Sequence, residues 1–340
     1  MVAALIVLAG VTRYATGVSR IVAFVFATLA LAGVAWVVSI SIEQVGRRAG
    51  PAVTGVLQAS LANLPEFFVV IFALQAGHTV IAQTAILGSI LVNALLVLGL
   101  VIVAGALRSR DGIMRFNPRL PNDTATLLLV ASFIIVLIGL THSEGDAASR
   151  HSETISIIGS CVILAVYGTW LRQYLTSDSI VKEASEPPRL SIATSLVLLG
   201  LAGVSAAFVS DWFVNALEPT IHLLHISQAF AGIVIVAIAG NAVENTAGLV
   251  LAWKGRSDLA ISVVKNSVAQ IAAFLFPLLV LISFALATTL TFALAPVYIG
   301  ALALTALVVW QVTGDGEAVA FEGWALVALY VVLATLTLYE

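Results

Sequence analysis

The chain has 340 residues, 61% of them hydrophobic and only 10% charged, with a mean hydropathy of +1.10 and a formal net charge of −3. Soluble chains carry about 25% charged residues, so this composition excludes a soluble domain, and no basic block points to a nucleic-acid partner. A lone cysteine, Cys161, excludes an intramolecular disulfide framework, and no Cys/His cluster suggests zinc.

Apolar stretches run over 2–17, 20–42, 51–76, 79–106, 124–142, 153–174, 190–214, 227–253, 257–284, 287–311 and 322–339. Most exceed the roughly 18 residues that mark a membrane helix. The first is short and interrupted by Arg13, with no basic region ahead of it. It reads as a short extra helix rather than a signal peptide. The runs are too long for barrel strands and lack their two-residue alternation. The expected class is an all-α polytopic membrane protein of about eleven transmembrane helices, with lipid as its surroundings.

Basic residues set the orientation. Loops on one side hold Arg47, Arg48, Arg108, Arg110, Arg115, Arg119, Arg172, Lys182, Arg189, Lys254 and Arg256, against Arg13, Arg20 and Arg150 on the other. The side carrying Arg47, Arg48 and Arg108–Arg119 is expected to be cytoplasmic in a multi-pass cell-membrane protein, with the C-terminus outside. A polar, acidic connection at 175–189 divides the spans after the first into five and five. The expected organisation is an extra helix over 1–17, a five-helix repeat over 18–174, a cytoplasmic linker over 175–189, and a second repeat over 190–340.

The two halves share a signature. Ser60-Leu-Ala-Asn63-Leu-Pro65-Glu66 leads into an apolar helix and Gly77, and Ala239-Gly240-Asn241-Ala-Val-Glu244-Asn245 leads into another and Gly255. A constant offset of 178 places Asn63 on Asn241, Glu66 on Glu244, Gly77 on Gly255 and Ser89 on Ser267. Repeats of five spans each must be inverted with respect to one another, an architecture that places related segments near the bilayer midplane. A charge inside a membrane helix costs roughly 2.5–3.5 kcal/mol or more and marks an ion pathway by default. Asn and Glu at i and i+3 share a helix face, while Pro65 and Gly240 can open the helical ladder and free carbonyls. Two carboxylates, two amides, hydroxyls and carbonyls form an all-oxygen set that suits a hard cation such as Ca²⁺. Softer metals prefer His and thiolate.

After the first motif the chain reads Ala82-Gln-Thr-Ala-Ile-Leu-Gly88-Ser89-Ile-Leu-Val-Asn93; after the second come Asp258-Leu259-Ala260-Ile261 and Gln270-Ile271. These patterns resemble those of the calcium/proton exchanger family of the calcium/cation antiporter superfamily, from about residue 20 to the end. The resemblance implies a secondary active antiporter, not an enzyme, that exchanges a cytoplasmic cation, Ca²⁺ first, for external protons by alternating access. It implies that Glu66 and Glu244 carry the metal cation and the protons alternately. Asn63, Asn241, Ser89, Asn93, Ser267 and Gln270 would complete or flank the site, with no cofactor.

The chain departs from that family at three places. Leu64-Pro65-Glu66 is closer to the related sodium/calcium exchangers, Asn245 stands where the family has His, and Lys265-Asn266-Ser267-Val268 replaces an L-G-S-S stretch. Lys265 has two readings: its stem snorkels to the nearer surface, or it reaches the carboxylates and competes with a bound cation. The second keeps Na⁺, K⁺ or another divalent ion as an alternative substrate on the same fold. Motifs of intramembrane proteases are absent.

Overall fold

The computed structural model describes residues 1–49, 57, 60–176 and 190–340. Of the linker expected at 175–189, all but Leu175 and Thr176 lies outside the described residues, and so do the side chains of Arg47 and Arg48. The described chain is almost entirely helical: α1 Val2–Tyr14, α2 Arg20–Ala49, α3 Leu64–Gln75, α4 Thr79–Arg108, α5 Arg119–Ser143, α6 Ser152–Thr176, α7 Ile192–Leu224, α8 Gln228–Gly240, α9 Ala242–Trp253, α10 Ser257–Ser283, α11 Pro296–Thr313 and α12 Ala320–Leu338. Among these, eight helices are long and apolar enough to cross a membrane, and nine if the bent pair α8–α9 counts as one span. α1, at 13 residues, is shorter than the roughly 20 that a full crossing takes.

Several boundaries differ from the hydropathy reading. The run expected over 287–311 is helical only from Pro296, because Pro fits the first turn of a helix, where its missing N–H costs nothing. Before it the chain is irregular, and Ser283 Oγ accepts the Leu290 N–H at 2.8 Å. α7 extends to Leu224, ten residues past the expected 214, and passes through Pro219. The single span expected over 227–253 bends by 61° between α8 and α9.

Packing divides the described chain into two compact units, residues 1–73 with 168–225 and residues 74–167 with 226–340. Each unit therefore draws on both sequence halves. In the first, α2 lies along α7, with the Phe24 and Phe213 rings 5.3 Å apart. α1 packs on both, and Tyr14 meets Trp212 edge-on at 6.4 Å.

In the second unit α4 crosses α8 at very short range. A Cβ on Gly88 would lie 2.5 Å from the Ile233 Cα, and one on Gly232 would lie 2.0 Å from Thr84 Oγ1. Small residues allow such backbone approach where apolar burial alone cannot hold membrane helices together. Short π-helical turns interrupt α4 at Val92–Val97, α8 at Ala231–Val236 and α10 at Ile271–Leu275.

A feature that hydropathy did not reveal joins three loops of this unit. Strand β1, Ile113–Arg115, pairs antiparallel with β2, Glu317–Val319. The next residue, Phe116, donates its N–H to Gly316 O at 2.9 Å, and the Asn117 N–H reaches Asp258 Oδ1 at 2.7 Å. Arg115 bridges Asp111 at 2.6 Å and Glu317 at 3.1 Å. Hydrogen bonds from the Ser109 hydroxyl, Arg115 and the Ile113 N–H hold the Asp111 carboxyl down at about 2. The Arg115–Asp111 pair consequently persists at neutral and mildly acidic pH. Being exposed, the ribbon's ion pairs add little to stability.

Candidate functional site

Both acidic motifs open a helix after a break. The first half has a turn at Ala62–Asn63, then α3, with Glu66 in its first turn. The second half has Asn241 at φ −95°, ψ 15°, then α9, with Glu244 in its first turn. Asn63 O accepts the Phe67 N–H at 2.9 Å, and Asn241 O accepts the Asn245 N–H at 3.0 Å, the same bond at an offset of 178. α3 and α9 are 12 residues each, and their first and last residues obey that offset. So do the left-handed glycines that follow, Gly77 at φ +81° and Gly255 at φ +75°. The opening of the ladder expected beside Pro65 and Gly240 is present as a turn or break at each asparagine, and each glutamate sits in the first turn of the 12-residue helix that follows. There the backbone N–H groups and the positive end of the macrodipole favour an anion.

In the first unit, Asn63 and Glu66 are both buried, at 6% exposure. Pro65 follows the break and has no N–H to give to the ladder. The Pro65 carbonyl accepts a hydrogen bond from Ser210 Oγ of α7 at 3.3 Å.

In the second unit the structure brings three predicted residues into one buried network. Asn93 Nδ2 donates to Asn241 Oδ1 at 2.6 Å and to Ser89 O at 2.9 Å. Asn241 Nδ2 donates to Ser89 Oγ and to Ala237 O, each at 2.9 Å. Asn241 is 0% exposed, and its amide oxygen is engaged by Asn93. Its bonds fix the α8–α9 break against α4. Glu244 is half-buried on α9, which packs on α10 and on α4.

The same elements carry oxygens with no hydrogen-bond partner among the described residues: Asn93 Oδ1, Asn245 Oδ1, Asn266 Oδ1 and Ser267 Oγ. Leaving a buried acceptor unmade costs about 1–3 kcal/mol, and oxygens of this kind are what Ca²⁺ takes as ligands. Ser267 and Gln270 are buried on α10, and Gln270 is its last residue before the π-helical turn. Among the described residues, no group of three or more His, Cys, Asp or Glu side chains is gathered as a resident metal site would be.

Lys265 follows neither of its two expected courses. It is 1% exposed, so it does not snorkel, and among the described residues it pairs with no carboxylate. Its Nζ donates instead to Thr313 Oγ1 of α11 at 3.3 Å. Thr313 lies 48 residues away along the chain, and one buried threonine among many gave no sequence signal for this contact.

The sodium/calcium exchanger protein family matches residues 19–172 and 194–339. A vacuolar calcium ion transporter of Schizosaccharomyces pombe is 31% identical, the alignment covering 93% of this chain and 79% of the relative. A Ca²⁺/H⁺ antiporter of Bacillus subtilis is 29% identical over 84% of this chain and 83% of its own length. Among solved structures, native YfkE superposes with a TM-score of 0.82 at 25% identity, covering 100% of this chain and 98% of that one. The H⁺/Ca²⁺ exchanger CAX gives 0.78 at 17% identity, covering 98% and 86%, a likeness of fold.

Proposed function

This chain belongs to the sodium/calcium exchanger protein family, and on that footing we propose that it is a secondary active antiporter exchanging cytoplasmic Ca²⁺ for external protons. The relatives named as Ca²⁺/H⁺ antiporters support the reaction. The observation that carries it in this chain is the repeated device of Asn63–Glu66 and Asn241–Glu244, in which an asparagine at a turn or break is followed by a 12-residue helix with the carboxylate in its first turn.

Glu66 and Glu244 are the proposed carriers. Asn63, Ser89, Asn93, Asn241, Ser267 and Gln270 complete or flank the site, and Asn245 and Asn266 add oxygens beside it. Ionised carboxylates in a membrane carry a large desolvation cost unless a cation or a proton neutralises them. A carrier that changes access only when neutralised therefore couples the two ions: Ca²⁺ leaves the cytoplasm as protons enter, and the empty ionised form stays put.

The proposed architecture is two inverted five-helix repeats, 18–174 and 190–340, after an extra N-terminal helix over 1–17, giving about eleven spans with the C-terminus outside. The β1–β2 ribbon and the Asn117–Asp258 bond support this count, since they tie the α4–α5, α9–α10 and α11–α12 loops to one face. Helices α5, α6, α7 and the α8–α9 pair taken as one make four crossings between the first two loops, and α10 and α11 make two more. Both numbers are even, as a shared face requires. That face carries Arg108, Arg110, Arg115, Lys254 and Arg256, as a cytoplasmic surface does.

Lys265 favours one second reading on the same fold, exchange of Na⁺, K⁺ or another divalent ion. Purified protein in liposomes, with a pH gradient and each cation in turn, separates the two. The expected result is Ca²⁺ flux that follows the pH gradient while Na⁺ and K⁺ give little. Gradient-driven Na⁺ or K⁺ flux without Ca²⁺ flux would overturn the assignment.

A further inference from the structure

Resting on the cation site just proposed, we propose that Lys265 is a specificity-determining residue: a buried cation anchored at the C-terminal end of α11, disfavouring ions at the neighbouring site in proportion to their charge. The anchor is geometric. Lys265 Nζ donates to Thr313 Oγ1 at 3.3 Å, and that hydroxyl gives its own proton to Val309 O at 2.7 Å, so its oxygen faces the lysine as an acceptor. Thr313 is the last residue of α11. The final carbonyls of a helix lack intrahelical donors, and the macrodipole there is negative, so an ammonium is best tolerated at that end.

The lysine is close to the site without belonging to it. Lys265 and Ser267 are two residues apart on α10, about 200° around a helix of 3.6 residues per turn. Lys265 therefore faces α11 and Ser267 faces away from it, while α9, bearing Glu244, packs along the same α10. Among the described residues no carboxylate cancels the charge. Asp258 and Asp315, at the ends of α10 and α11, are exposed, and Asp258 is bonded to the Asn117 amide. The offset of 178 pairs Lys265 with Leu87, so one half holds a charge where the other holds an isobutyl group.

Coulomb energy scales with the charge of the bound ion, so a fixed cation penalises a divalent ion twice as much as a monovalent one in the same place. This gives a signature independent of the distance. Neutralising Lys265 changes the logarithm of affinity twice as much for Ca²⁺ as for a singly charged competitor. The test uses the full-length protein as wild type, Lys265→Met, Lys265→Leu and Lys265→Arg, measuring Ca²⁺ affinity and its inhibition by H⁺ and Na⁺. The expected result is that Met and Leu tighten Ca²⁺ about tenfold and the monovalent ions about threefold, while Arg stays near wild type. Equal factors for the two ion classes, no change, or Arg behaving as Met would overturn the proposal. So would folding of the Arg variant alone, which would make the lysine a purely structural group. Glu244→Gln, run in parallel, tests the site itself: Ca²⁺ binding that survives there defeats the site reading whatever the lysine variants do.

Discussion

Glu66→Gln and Glu244→Gln are each expected to abolish Ca²⁺-dependent proton flux while the protein still folds and inserts. Glutamine keeps the size of the side chain and one carbonyl oxygen, so packing around the break is retained. It removes the charge proposed to bind the cation and the group proposed to take the proton. Losing one carboxylate from a hard-cation site is expected to cost at least about 3 kcal/mol, roughly a hundredfold in affinity. Flux at limiting Ca²⁺ should fall by that factor or more, and raising Ca²⁺ should not restore coupling, because the proton has also lost its seat. Size-exclusion profiles should match wild type. Robust proton-coupled Ca²⁺ flux in either variant would remove that residue from the mechanism.

The second large effect is structural. Gly88→Leu is expected to disrupt the α4–α8 crossing, since even a methyl group at Gly88 would meet the Ile233 Cα at 2.5 Å and the Gly232 carbonyl at 2.9 Å. These are backbone atoms of a packed helix, so relief requires moving α8, and overpacking of this kind costs about 1–3 kcal/mol or more. The crossing also carries the Ser89–Asn241 bond of 2.9 Å, so activity should fall together with stability. The expected readout is a lower unfolding temperature in detergent and a loss of monodisperse protein. Gly200→Ala is the control: no atom lies within 4 Å of its added Cβ, and replacing a helical glycine there should be neutral or slightly stabilising. A Gly88→Leu protein as stable and active as the control would refute the close crossing.

The sequence was most legible where physics leaves few choices. A charged residue in an apolar run is costly enough to stand out alone, and Glu66 and Glu244 stand out twice because they repeat at one offset with Asn63 and Asn241. The glycines after each half-helix, Gly77 and Gly255, were visible for the same reason and both adopt positive φ. The start of α11 was legible in principle, since Pro296 marks a first helical turn. Hydropathy alone overrode that signal by averaging across the Thr-rich stretch before it.

Other features depend on partners that no local pattern encodes. Asn241 could be read as a site residue from its place beside Glu244, but that its amide bonds Asn93 and Ser89 on a distant helix could not. Lys265 could be read as snorkelling or as pairing with acid, yet its partner is a threonine on another helix. The β1–β2 ribbon is three residues on each side, too short for any periodicity to announce it.

Composition alone placed the chain in a membrane, and a motif recurring at one offset singled out Glu66 and Glu244 as the carboxylates to propose, because burial cost and repetition are written locally. Tertiary structure alone decided that Gly88 and Gly232 bring two backbones together, and that Lys265 ends on α11 rather than in water or on a glutamate. These outcomes are set by which side chains meet across sequence separations of 48 to 152 residues, and a hydrogen bond or a steric contact has no sequence period by which to show itself.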